Sequence, residues 1–223
     1  MAGFSCRNHH FPVKIILTGT GKKYNTEWIF RELNYSFEKD HAYAILGRNG
    51  SGKSTLLQVI AGSIHPTSGQ VNYSIGGEEI PVEKIFQHLT IVAPYQELIE
   101  EFTLREMLDF HFFFKSPVPG YTIPGIIDRI GFKDPGRKTI RFFSSGMKQR
   151  VKLILALFSE VSVVLLDEPT MNLDETGTNW YLQLVNEMAK NRIILVCSNL
   201  QHQETAFCKE KLFIEDYKPQ RAS

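Results

Sequence analysis

Gly47-Arg48-Asn49-Gly50-Ser51-Gly52-Lys53-Ser54-Thr55 decides how the rest of this chain is read. An alternating apolar run precedes it, with Tyr43, Ile45 and Leu46 around two alanines, and a helical one follows in Leu56, Leu57, Val59, Ile60 and Ala61. The order is strand, glycine-rich turn, helix N-terminus. The glycines open backbone angles closed to other residues, so consecutive N–H groups can converge on a phosphate chain while the helix dipole favours its negative charge. The backbone of 47–55 then becomes the ligand. Lys53 reaches the β- and γ-phosphates and the Ser54 hydroxyl sits on a bridging magnesium ion. The plainer reading is a glycine-rich turn with no ligand, and the strand-to-helix context weighs against it.

A second stretch completes the chemistry. Val161, Val163, Val164, Leu165 and Leu166 make a run apolar at nearly every position, as expected of a parallel strand covered on both faces, and it ends in Asp167-Glu168. Open α/β sheets bind ligands at the carboxyl ends of such strands, so these carboxylates are expected beside the loop. Asp167 can hold the magnesium through its water shell, and Glu168 can orient and polarise an attacking water. The alternative is a solvated acidic strand end. Ser144-Ser145-Gly146 opens a strongly apolar helix (Val151, Leu153, Ile154, Leu155, Leu157, Phe158), and its N-terminal amides are a second candidate phosphate site.

The chain has 223 residues, enough for one large α/β domain with a substantial core. With 25 Lys and Arg against 24 Asp and Glu the net charge is +1, so there is no electrostatic case for a nucleic-acid partner. Cys6, Cys197 and Cys208 are an odd set without a CxxC pair, which favours a reducing compartment, the cytoplasm, over a disulfide scaffold. The N-terminal residues lack the apolar core of a signal peptide, and no apolar run approaches the ~20 residues that span a bilayer. Any role at a membrane is expected from its surface. The chain is expected to end in a short polar tail, with no room for an appended regulatory domain.

Along the chain, strands are expected at 13–18, 29–37, 71–75, 89–93, 192–197 and 211–214, with a turn at 19–23. Helices are expected at 54–61, closed by Gly62, and at 182–189. Between 96 and 145 the composition changes to a helical insert. There Thr103 and Glu106 have capping-box spacing for a helix to about Lys115, and a shorter helix runs from near Pro124 to Gly131. Phe110-His111-Phe112-Phe113-Phe114 in that insert is either core packing or a partly exposed apolar patch that docks another protein. His9 and His10 are adjacent and not spaced for a shared metal.

Taken in this order and over almost the whole length, the motifs resemble the ATP-binding cassette (ABC) family. Residues 47–54 match its Walker A loop and 163–168 its Walker B strand. Phe143-Ser144-Ser145-Gly146-Met147, followed by Lys148-Gln149-Arg150, looks like its signature motif. Met171-Asn172-Leu173-Asp174, after Glu168-Pro169-Thr170, is similar to the D-loop. Tyr24, a strand ahead of the loop, matches the aromatic that stacks on adenine, with Trp28 as second candidate.

The resemblance implies an α/β fold: a P-loop NTPase (RecA-like) core with an N-terminal antiparallel β subdomain and an inserted helical subdomain. All of it would form a single domain over 1–223, with the core at 1–95 and 146–223 and the helical part at 96–145. The ligands it implies are ATP and Mg2+, bound through Tyr24 and the 47–55 loop, with Ser54, Asp167 and Gln96 around the metal and Lys53, Glu168 and Asn199 as catalytic groups. Two such domains would close head to tail, each ATP lying between one loop and the other subunit's Ser144, Ser145 and Gly146, acting in trans. Closure and opening would pass through the helical insert to separate integral membrane permease subunits. The chain would then be the ATP-hydrolysing subunit of a transporter, cytoplasmic and held at the inner face of the cell membrane by its partner.

The sequence departs from the family's pattern at several positions. Where the family usually has a histidine on the γ-phosphate, this chain has Asn199, which hydrogen-bonds but carries neither a proton to transfer nor a positive charge; His202 lies further along. Gln96 is the local candidate for the Q-loop glutamine, although an ungapped comparison puts Pro94 in that slot. Met147 stands in place of the signature glutamine. These changes bear on the hydrolysis rate more than on nucleotide binding. They support a rival reading, a nucleotide-binding switch or a weakly hydrolysing partner in a heterodimeric assembly, against which the intact Glu168 argues. A cassette acting on ribosomes or DNA predicts tandem cassettes or a long heptad insert, and the sequence has neither. A small-molecule kinase would share the loop without needing the signature helix.

Overall fold

Val13, Ile15 and Leu17 point inward and alternate with more exposed neighbours along β1 (Val13–Tyr24), which pairs antiparallel with β2 (Glu27–Glu38) and β4 (Ser68–Ile75). With β5 (Glu78–Ile80) they form a sheet in the order β2-β1-β4-β5. The computed structural model describes residues 12–132, 138–199 and 203–219; Cys6, His9, His10 and His202 lie outside them. The turn expected at 19–23 is bulged strand instead. Pairing with β2 shifts register between Leu17 and Thr20 and again between Thr20 and Lys22, so the glycines there mark bulges rather than a reversal. The chain reverses at Asn25, which takes φ 53°.

A second sheet has the order β6-β7-β8-β3-β9, built from β3 (Ala42–Leu46), β6 (Leu89–Val92), β7 (Val163–Asp167), β8 (Ile193–Ser198) and β9 (Glu210–Phe213). β3 runs parallel to β8 and β9, and β7 parallel to β8. β7 and β8 are buried at every position, which is why they read as continuous aliphatic runs. α1 (Lys53–Ile60) places Leu56, Leu57, Val59 and Ile60 in one core with Phe30, Leu33 and Phe37 of β2. It closes as expected at Gly62, which takes φ 70°; the Gly62 N–H donates to Val59 O at 3.1 Å and the Ser63 N–H to Gln58 O at 3.0 Å.

Register in this sheet decides what meets what. Leu46 is opposite Ser198, and Asp167 is opposite Cys197. Residues 47, 199 and 168 therefore leave adjacent strands at one edge, with neighbouring strands about 4.8 Å apart.

These elements belong to one compact unit, made of the residues up to Ile91, Val161–Glu168 and the chain from Ala189 onward. A second unit comprises Val92–Glu160 and Pro169–Met188 and is helical. It holds α2 (Leu104–Phe114), α3 (Ile123–Ile130), α4 (Ser145–Leu157) and α5 (Glu175–Met188). α4 packs against α2, α3 and α5. The capping box at α2 is present: Thr103 Oγ1 accepts from the Glu106 N–H, and the Glu106 carboxylate accepts from the Thr103 N–H at 2.8 Å. α3 stops at Gly131 in the left-handed region. α5 begins well ahead of the expected 182, because Asp174 Oδ1 accepts the Gly177 N–H at 2.7 Å and starts the helix there. The segment 96–145 lies inside this second unit, which carries α4 and α5 as well.

The aromatic run on α2 divides between core and surface. Phe112 is buried, whereas Phe110, Phe113 and Phe114 are 44%, 83% and 70% exposed. Their rings stack edge to face among themselves and with Phe102 rather than sinking into the unit.

Candidate active site

The loop after β3 is shaped by close approach as much as by turn geometry. Gly52, at φ 108°, is the N-cap of α1 and offers no side chain to cap it; a Cβ there would lie 2.4 Å from Ile29 Cγ2. Strand β2 thus presses on the loop at the one place where a side chain would block it. The amides of the first turn of α1 have no side-chain cap, the arrangement that favours an anion at a helix N-terminus.

Lys53 is only 5% exposed, and its ammonium donates to Gly47 O at 2.8 Å and Arg48 O at 3.1 Å, closing the loop on itself. Ser54 is exposed, and its side chain hydrogen-bonds Asp167 at the end of β7. Asp167 is 4% exposed, and its Oδ1 has no hydrogen-bond partner. Burial raises the pKa of its carboxyl above the ordinary carboxylate range; the Ser54 hydrogen bond lowers it, the neighbouring Glu168 charge raises it, and Lys53 lowers it. A buried acid with a free oxygen beside a helix-terminal hydroxyl suits a hydrated divalent cation, so the residues fit magnesium.

Glu168 sits at φ 47°, a conformation that costs a non-glycine residue about 1–2 kcal/mol. Its N–H donates to Cys197 O at 3.0 Å, which holds the strained residue against β8. Cys197 is fully buried; its thiol donates to Lys53 O at 3.6 Å, and burial pushes its pKa well up, so it packs rather than reacts. Asn199, half-buried, follows β8 at the same sheet edge. Lys53, Ser54, Asp167, Glu168 and Asn199 are thereby brought together within the first unit.

Both candidate aromatics flank the β1–β2 reversal. Tyr24 is exposed with the Lys22 ammonium 5.3 Å from its ring centre, and Trp28 is half-buried with Lys23 at 5.4 Å. Trp28 is the neighbour of Ile29, the residue packed on Gly52.

The remaining predicted residues belong to the second unit. Ser144 is the exposed N-cap of α4, its Oγ accepting from the Met147 N–H at 3.2 Å, and Ser145 is exposed beside it. Gly146 has a packing reason of its own: a Cβ there would lie 2.8 Å from Asn172 O. Gln96 is exposed in the turn after β6, its N–H donating to Ala93 O at 3.1 Å. It lines a cavity of about 820 Å³ together with Ser145, Lys148, Lys152 and Asn172. Gln149, quoted from the sequence only as part of the signature-like stretch and given no role there, is buried and donates to Pro169 O at 2.8 Å, tying α4 to the segment just after Glu168. Glu215, also missed, accepts the Arg48 N–H at 2.7 Å. No spacing pattern links it to a loop so distant in the chain.

The sequence model of the family described as ABC transporter matches residues 30–171, from β2 through both carboxylates and into the D-loop. The chain belongs to the ABC transporter family. It is 26% identical over 208 residues to the Nod factor export ATP-binding protein I of Rhizobium johnstonii, covering 92% of this chain and 67% of that protein. It is 29% identical over 189 residues to the uncharacterized ABC transporter ATP-binding protein YybJ of Bacillus subtilis, covering 84% and 86%. Among solved structures, the dimeric ATP-binding cassette MJ0796 bound to ADP and Pi superposes with a TM-score of 0.77 at 20% identity, over 93% of this chain and 97% of that one. This ABC chain has the P-loop NTPase (RecA-like) α/β fold with an antiparallel N-terminal sheet and a helical part. It is an ATP-binding cassette ATPase. Among the described residues, no helix is long and apolar enough to cross a membrane.

Proposed function

We propose that this cassette binds MgATP on the 47–55 loop and hydrolyses it, pairing with a second cassette and driving separate membrane-spanning permease subunits. The observation that carries the reading is Asp167: a buried carboxylate with an unpartnered oxygen, hydrogen-bonded to Ser54 at the start of α1 and followed by a strained Glu168. Such an arrangement has little structural purpose and a clear chemical one.

In this reading Lys53 leaves the Gly47 and Arg48 carbonyls for the β- and γ-phosphates, while the loop amides and the uncapped start of α1 receive the rest of the phosphate chain. Ser54 and Asp167 would hold magnesium, with Gln96 as the third candidate; when bound, the ion neutralises charge on the phosphoryl oxygens. Glu168 orients the attacking water, and its backbone bond to β8 keeps the carboxylate at the sheet edge. Asn199 donates a hydrogen bond to the γ-phosphate. Tyr24, or Trp28 beside the loop, stacks on adenine. Ser144, Ser145 and Gly146 complete the partner's site in trans, and the exposed rings of α2 offer the permease an apolar contact. The working place is the cytoplasmic face of the membrane, reached through that partner.

A second reading, a switch or a weakly hydrolysing half of a heterodimer, is favoured by Asn199, which cannot carry a positive charge. ATP turnover by the protein and by Glu168→Gln, with size-exclusion chromatography in ATP and magnesium, separates them. Turnover that falls by ~100-fold or more in the variant, with the variant eluting as a dimer, supports the hydrolytic reading. A parent that dimerises on ATP and never turns it over, even with its membrane partner, overturns it in favour of the switch.

A further inference from the structure

The peptide group between Gly47 and Arg48 is gripped from both ends by charged side chains. Its carbonyl accepts from the Lys53 ammonium at 2.8 Å, and its N–H donates to Glu215 Oε1 at 2.7 Å. Glu215 arrives there by topology. β9 pairs with β3 as far as Leu46 opposite Phe213, so the turn that follows, Ile214–Tyr217, runs alongside the start of the phosphate loop. The fit is close: a Cβ on Gly47 would lie 2.7 Å from Glu215 Oε2 and 2.7 Å from Ile214 Cγ2.

The two grips differ in what happens to them on binding. Lys53 has to leave the Gly47 carbonyl to reach phosphate, whereas Glu215 can stay. We infer that Glu215 is a positioning residue of the ATP site: its carboxylate fixes the plane of the Gly47–Arg48 peptide, so that the loop keeps its phosphate-binding shape after Lys53 has turned to the nucleotide. The inference rests on the assignment of the loop as the ATP site. Its physical basis is that an acceptor held at this reach on a backbone N–H fixes the plane of that peptide whether or not the acceptor is charged, and that a loop free to rotate this peptide would have to be ordered by the ligand at the expense of affinity.

The test compares Glu215→Ala, Glu215→Asp and Glu215→Gln. Gln keeps an acceptor at the same reach and removes the charge; Asp keeps the charge and shortens the reach. MgATP affinity is read by calorimetry, turnover by phosphate release, and the Arg48 amide by its proton and nitrogen resonances without nucleotide. The expected result is MgATP binding weakened roughly tenfold in the Ala and Asp variants with kcat changed less than about twofold, and affinity within about twofold of the parent in the Gln variant. The Arg48 amide proton should move upfield in the Ala variant and stay nearer its place in the Gln variant. Unchanged affinity in the Ala and Asp variants, or a Gln variant as weak as Ala, overturns the inference, as does an Arg48 resonance that ignores all three changes. A parent that binds no MgATP while its Arg48 amide does respond overturns the assignment of the loop, and the role of Glu215 with it.

Discussion

Replacing Gly52 with alanine separates two reasons for a glycine in the phosphate loop. The first is conformational: at φ 108° an alanine is strained by about 1–2 kcal/mol whatever surrounds it. The second is steric. The new Cβ would stand 2.4 Å from Ile29 Cγ2, so Ile29 or the loop has to move by about 1 Å, at about 1–3 kcal/mol by analogy with overpacked cores. Gly52→Ala is therefore expected to destabilise by about 2–5 kcal/mol and to weaken ATP binding, because the movement displaces the first turn of α1. Only the steric part depends on Ile29. Ile29→Ala alone should cost about 1–2 kcal/mol, less than a fully buried isoleucine, since Ile29 is partly buried against the core. In the double variant the clash disappears, and the two changes should couple by about 1–3 kcal/mol. The assay is urea unfolding of all four proteins, with a MgATP titration on each. Additivity within about 0.5 kcal/mol would rule out the steric contribution of Ile29, leaving the backbone angle as the sole need for glycine.

Asp167→Asn should raise the thermal midpoint of the nucleotide-free protein at neutral pH while abolishing Mg2+-dependent ATP binding. Burial raises the folded-state pKa of Asp167 above its unfolded value, so the native state binds more protons between the two. Stability therefore falls as pH rises through that window, and asparagine lacks the penalty of burying the charge; an unchanged or lower midpoint in calorimetry counts against this. His111 predicts the opposite pH trend. Its Nε2 lies 2.8 Å from Ser159 Oγ, whose own hydrogen goes to Leu155 O, and burial lowers its pKa to about 4 from 6.5. Neutral His111 contributes stability that is present above pH 6.5 and lost as pH falls through about 4, so the unfolding midpoint should drop across that range and His111→Gln should flatten the drop.

Local features were legible in the sequence because their causes are local. Thr103 and Glu106 cap α2 as their spacing predicts, and Gly62 and Gly131 close α1 and α3. The reading failed where glycine has more than one use. Residues 19–23 looked like a turn, yet Gly19 and Gly21 sit in bulges of a strand that continues to Tyr24, and only pairing with β2 and β4 distinguishes the two. Gly177 and the threonines around it similarly hid the first turns of α5, which Asp174 starts. For the phenylalanines from 110 to 114, composition favoured core packing over an exposed patch, and the packing of α2 put Phe112 inside and three others out.

Contiguous residues encode the chemistry available: a strand, a glycine-rich loop and a helix in order, and an aliphatic strand ending in two acids. Which groups share an edge, and how they are held, follows from the folded sheet. The order β7-β8-β3 sets Asn199 between the loop and Glu168, and β9 brings Glu215 onto the Arg48 amide. The burial that leaves Asp167 Oδ1 unpartnered is likewise a property of the folded sheet. Strand order, register and exclusion of water arise from contacts between residues far apart in the chain, and no local pattern records them.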